Sequence, residues 1–135
     1  MHMIILLGRI LFSAIFILAV PGHFSEQAIQ YAHNHGVPAA HLLVPLAGIL
    51  ALLGGLSVLL GYRAKQGAWL LVLFLVCVTF SLHRYWTFND PIERDFQQLM
   101  FMKNLSLLGA ALLLTHFGSG PFSVDKHHAK KGKKK

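Results

Sequence analysis

The stretch "LMFMKNLSLLGAALLLTHFG", residues 99–118, decides how this chain is read. It is long and apolar enough to cross a bilayer as a helix, which takes about twenty residues for a hydrocarbon core of roughly 30 Å. Yet Lys103, Asn104 and Ser106 stand in its first half. A lysine at mid-membrane depth costs roughly 2.5–3.5 kcal/mol on insertion scales. Either protein or ligand atoms compensate it, or its stem carries the amine to the membrane surface.

Working outward from that segment, three further apolar runs cover residues 3–20, 42–60 and 68–86, and the first stretch extends to a fourth over 96–117. None alternates with a period of two, and a helix satisfies its own backbone groups in lipid. The expected fold is therefore all-α, a four-transmembrane-helix bundle. The 55% hydrophobic and 13% charged composition excludes an ordinary soluble domain. No charged residue precedes the first run, Arg9 interrupts it, and "LAVPG" lacks a small-x-small cleavage pattern, so it reads as a span and not a removed leader.

The net charge of +7 is misleading until it is located. Six of the twelve basic residues fall in "KHHAKKGKKK", residues 126–135, and the other six against five acids leave only +1. A nucleic-acid partner is not indicated, and the lipid bilayer is the expected one. Residues 1–125 read as the membrane domain and 126–135 as a basic, disordered tail. Four crossings put both termini and the 61–67 loop on one side, together with Arg63, Lys65, the tail and, close by, Arg9. The first loop has no Lys or Arg and the third has Arg84 and Arg94, so the positive-inside rule places both ends in the cytoplasm.

The loops carry local signals. In "SEQAIQYAHNHG", residues 25–36, Ser25 is an N-cap, Ala28, Ile29 and Ala32 share a side, and Gly36 is a stop. This predicts a short interfacial helix in the first outer loop. In the third loop, Tyr85, Trp86 and Phe88 suit the interface belt and "NDP" signals a turn. Ala47, Ala51 and Gly55 recur at four-residue spacing, with Gly48 and Gly54 beside them, and predict a groove for close helix approach. Ser106, Ala110 and Gly109 repeat that pattern in the fourth run.

Two readings of Lys103 follow. In one it snorkels outward as an anchor. In the other its amine faces the interior beside Asn104 and Ser106, with an acidic partner among Glu26, Asp90, Glu93 and Asp95, and helps form a ligand pocket. Arg9 enters from the opposite face, so the two do not share one ligand. The histidines His23, His33, His35, His41 and His83 all map to the outer side. His23 and His83 close helix ends and are the residues to weigh as metal ligands. No ligand spacing supports a metal site, and polar interface histidines are the expectation. The lone Cys77 excludes an intrachain disulfide. No phosphate loop, nucleophile elbow or complete catalytic constellation is present, so enzymatic activity is not legible.

The run from "LVPLAGILALLGG" through "HRYW", "NDP" and "MKNLSLLGAALLL", with "GRILFSAIFILAVPGHF" at the start, resembles the DoxX family of small four-helix membrane proteins. That resemblance implies an accessory subunit of a quinone-linked redox system of the inner membrane, with quinone as a cofactor and a redox partner subunit. By motif it points to Gly8 and Arg9, Gly54 and Gly61, and Lys103, Asn104 and Gly109. Cys77, where relatives are expected to have a proline, and the lysine tail depart from the pattern. The combined expectation is a polar pocket in the outer half formed by Lys103, Asn104 and His83, with Arg9 and His23 as further ligand-binding candidates. The alternatives are a small-molecule transporter or exporter component, a structural partner without ligand, and a homo-oligomer.

Overall fold

The structure, a computed structural model, describes residues 2–127. Helix α1 spans His2–Ala19 and runs into a 3-10 turn over Val20–Phe24. Helix α2 (Glu26–Asn34) is short, α3 covers Ala40–Leu60, α4 covers Ala64–Leu82, a 3-10 turn follows at Tyr85–Thr87, and α5 covers Pro91–Phe117. Four helices are long and apolar enough to cross a membrane, and the 21 residues of α3 extend for about 32 Å. The all-α expectation holds. Of the region read as a basic tail, residues 128–135 lie outside the described residues, while Lys126 and His127 close a helical turn over 124–127.

Several boundaries differ from the sequence expectation, and two of them have a clear chemical cause. Helix α4 starts at Ala64, four residues early, because the Asp125 carboxylate accepts from the backbone amides of Arg63 (2.8 Å) and Ala64 (3.2 Å). A carboxylate 61 residues away thus caps the start of α4, which no local signal reveals. Helix α5 begins at Pro91, and the "NDP" signal is its N-terminus: Asp90 accepts from the Glu93 amide at 2.8 Å and proline takes the first helical position.

Helices α3 and α4 form the centre, with α1 packed on α3 and α5 on α4. Glycine permits both approaches. A Cβ at Gly54 would meet Leu71 at 2.7 Å and the Gly67 carbonyl at 2.9 Å, so α3 and α4 touch nearly backbone to backbone. Gly55 faces the other way, within 3.0 Å of Ile17 and 3.3 Å of Phe16, and Gly48 meets His23. The expected groove is therefore two grooves, one for each neighbour. A Cβ at Gly109 would meet nothing within 4 Å, so the glycine of the matching pattern on α5 is not used for a close approach in this fold.

The apolar centre is Phe16, Ala51, Val58, Ala68, Leu71, Phe74, Leu75 and Ala111. Leu18, Leu53, Leu73 and Leu113 are all more than half exposed. Such an apolar outer surface is costly in water and has lipid as its natural solvent.

Helix α2 follows its sequence signal closely. Ser25 accepts from the Ala28 amide at 3.2 Å, Ala32 is buried, and Gly36 takes a left-handed φ of 82° two residues past the helix. It packs across the beginning of α3 and the 3-10 turn that follows α1.

Candidate functional site

The polar residues gather at the two ends of the bundle and do different work at each. At the α2 end, α5 turns a stripe of Gln97, Phe101, Asn104 and Ala111 inward toward α4. The spacings of four, three and seven put them on one helical face. Opposite, Thr79 is buried and His83 is half-buried at the end of α4. His83 Nδ1 lies 2.7 Å from Gln97 Oε1, and Gln97 Nε2 donates to the Tyr31 hydroxyl at 2.8 Å. Gln97 therefore bridges α4 to α2. The chain continues as ring contacts: Tyr31 stacks on His35 at 4.0 Å and His35 on Phe88 at 5.6 Å. Arg84 donates to the His35 carbonyl at 3.2 Å. The Tyr31 phenol is held above its ordinary pKa, first by desolvation and then by the charge of Glu93, against the lowering effect of the Gln97 hydrogen bond.

Asn104 is only 6% exposed and makes no side-chain hydrogen bond among the described residues. Its place on the inward stripe, one turn and more beyond Gln97, makes it the open position of this polar seam.

Lys103 makes no hydrogen bond to the seam among the described residues. It is exposed, its Nζ lies 3.6 Å from Met100 Sδ, and it makes no ion pair among the described residues. Neighbours on a helix lie about 100° apart, so seating Asn104 inward turns Lys103 out. Its stem points back toward the start of α5, the direction helical side chains favour and the direction of the membrane surface. No carboxylate pairs with Lys103 among the described residues, so the expected acidic partner is not seen. Ser106 is exposed too and donates to the Met102 carbonyl of its own helix at 3.1 Å.

His23 is separate again. Its Nδ1 lies 3.0 Å from the Ala19 carbonyl and its ring packs 5.6 Å from that of Phe74. The two histidines weighed as metal ligands thus have different partners. Among the described residues no group of three or more His, Cys, Asp or Glu side chains is placed to hold a metal ion.

At the other end Arg9 is 3% exposed. Its guanidinium donates to the carbonyls of Ser119 (2.9 Å) and Phe122 (2.8 Å). Gly61 is indispensable here: its φ is 66°, and a Cβ would meet Arg9 Nη1 at 2.7 Å and Ser123 Cβ. The Asp125 amide in turn donates to the Gly61 carbonyl at 2.9 Å. Arg9 thus ties the segment after α5 to α1, while Asp125 ties it to the α3–α4 loop. Arg9 Nε and Ser13 Oγ, one turn apart on α1, are buried without hydrogen-bond partners among the described residues. Gln97, Thr79 and Asp125 are the site residues the sequence did not single out. A glutamine in an apolar run was the available signal for the first, and none existed for the long-range cap.

Fold and polar ends together define a four-span integral membrane protein locked by a hydrogen-bond cluster at each end. The SURF4 family model matches residues 39–132, and the chain belongs to that family. It is 34% identical over 126 residues to the inner membrane protein YqjF of Escherichia coli, covering 90% of this chain and 89% of that one. It is 27% identical over 102 residues to YphA of the same organism, covering 75% and 71%. Against the ER-derived vesicles protein ERV29 of Saccharomyces cerevisiae it is 36% identical over 78 residues, 58% of this chain but only 25% of the yeast protein. No solved structure matches. The family is therefore SURF4 and not DoxX, and the quinone-linked redox role implied by the DoxX resemblance has no support from these relatives.

Proposed function

We propose that the protein is an accessory binding module of the inner membrane, both termini cytoplasmic, that takes a small hydrogen-bonding ligand at the α4–α5 seam beside α2. The names of the two E. coli relatives support the membrane assignment, and the distribution of Arg63, Lys65 and Lys126 supports the orientation. One observation carries the ligand reading: Asn104, only 6% exposed and without a side-chain hydrogen bond among the described residues, lies on the same inward face of α5 as Gln97 of the His83–Gln97–Tyr31 chain. His83 and Asn104 are retained as ligand contacts, and Gln97 and Thr79 join them. Lys103 becomes a membrane anchor, while Arg9 and His23 become structural.

The test contrasts stability with retention. Asn104→Leu removes the amide at nearly constant volume. It is expected to leave thermal stability unchanged or raised, while a small molecule co-purifying with the wild type, read by mass spectrometry, is lost. A variant that keeps the compound, or a wild type that carries none, overturns the reading. A second reading, self-association through α5, is favoured by the outward Gly109, with no neighbour within 4 Å. Crosslinking between copies through cysteine at position 109, in a Cys77→Ser background, tests it.

A further inference from the structure

The acids of this chain are segregated. Among the described residues, Glu26, Asp90, Glu93 and Asp95 lie at the α2 end, and the opposite end has a single carboxylate, Asp125. Both oxygens of Asp125 are already engaged by the amides of Arg63 and Ala64. Between the start of α4 and the segment after α5 lies an open cleft of about 710 Å³, whose lining includes Arg63, Lys65 and Lys126 as well as Asp125. Three cations therefore face one carboxylate that is held by backbone donors.

The cleft is built and oriented. Gly118, at φ 75°, has no side chain, and the stem of Lys65 lies across it: a Cβ there would meet Lys65 Cε at 3.2 Å. Lys126 follows a turn in which Ser123 Oγ accepts from its amide at 3.3 Å. The Arg63 guanidinium sits 5.7 Å from the Tyr62 ring centre. Trp69, 57% exposed, forms the apolar wall one turn inside α4, and Phe117 is exposed at the end of α5. Both helices end at this level, so the cations fall where phosphates lie and the aromatics where the acyl boundary begins. Arg9 takes no part: it does not line the cleft, and its Nη1 and Nη2 donate to the Ser119 and Phe122 carbonyls.

We propose that this cleft is a headgroup site for an anionic phospholipid, whose phosphodiester sits among Arg63, Lys65 and Lys126 while its glycerol backbone rests against Trp69. Lipid is favoured over a soluble anion because the cleft joins the charged rim to a wall of exposed apolar side chains.

Trp69 supplies the reporter. The chain has two tryptophans, and Trp86→Phe leaves Trp69 alone beside the cleft. In reconstituted membranes of phosphatidylcholine, brominated phosphatidylglycerol is expected to quench Trp69 about threefold more than brominated phosphatidylcholine at equal mole fraction. The preference is expected to vanish in Arg63→Gln/Lys65→Gln and to survive in Arg84→Gln/Arg94→Gln, which removes the same charge at the other end. Lys126→Gln, in an exposed turn outside the helices, is expected to weaken it by about half and guards against misfolding of the double variant. Equal quenching by the two lipids overturns the proposal. So does a preference that survives loss of Arg63 and Lys65, or one that millimolar inorganic phosphate abolishes, which would indicate a soluble anion.

Discussion

Tyr31 shows most directly how one residue couples environment to stability. Its phenol is desolvated under α2, lies near Glu93, and receives the Gln97 hydrogen bond. The folded pKa is raised above the unfolded value of about 10, so the folded state holds this proton more tightly. The resulting stabilisation is fully present below the unfolded pKa and is lost as pH rises through the folded one. Ultraviolet titration is expected to show a phenol phase above the ordinary tyrosine range that is absent in Tyr31→Phe. That phase moves to lower pH in Glu93→Gln, because one raising influence has gone. A phase unmoved by Glu93→Gln would contradict the geometry at this end.

Among the elements, the α3–α4 contact is the tightest and the α5 outer face the loosest. Gly54→Ala places a methyl within 2.9 Å of a backbone carbonyl that has no rotamer to change. It is expected to destabilise by about 1–3 kcal/mol, as overpacking does. Gly109→Ala meets open space and gains the helix propensity of alanine over glycine, so it is expected to be neutral or stabilising by up to about 1 kcal/mol. Thermal unfolding of the two variants in one detergent is the check, and equal shifts would count against the packing described. The same helices show what was legible locally. The Ser25 cap, the Gly36 stop and the Asp90–Pro91 start are short-range chemistry, although the last was read as a turn because it also satisfies one.

For the whole molecule, the segment after α5 acts as a latch. Phe122 is held at φ 52°, unfavourable for a large side chain, where its carbonyl meets Arg9. Arg9→Met removes the donors to the Ser119 and Phe122 carbonyls, at a cost of about 1.5–3 kcal/mol for a charged hydrogen bond. Hydrogen exchange is expected to quicken at the Asp125 and His127 amides, which bond to Gly61 and Ser123, while the α3–α4 centre keeps its protection. Uniform loss of protection would mean that Arg9 holds the bundle and not the latch.

Lys103 and Asn104 mark the line between what sequence and fold each decide. Hydropathy over about twenty residues set the four spans, because lipid admits few backbone solutions, and short-range capping set α2. The polar positions were visible as types, yet their directions were not. Adjacent residues on a helix point about 100° apart, and only the packing of α5 on α4 chose Asn104 for the interior and left Lys103 exposed. The Arg9 and Asp125 contacts were likewise settled by the tertiary structure, since hydrogen bonds spanning 61 to 113 residues leave no periodic trace along the chain.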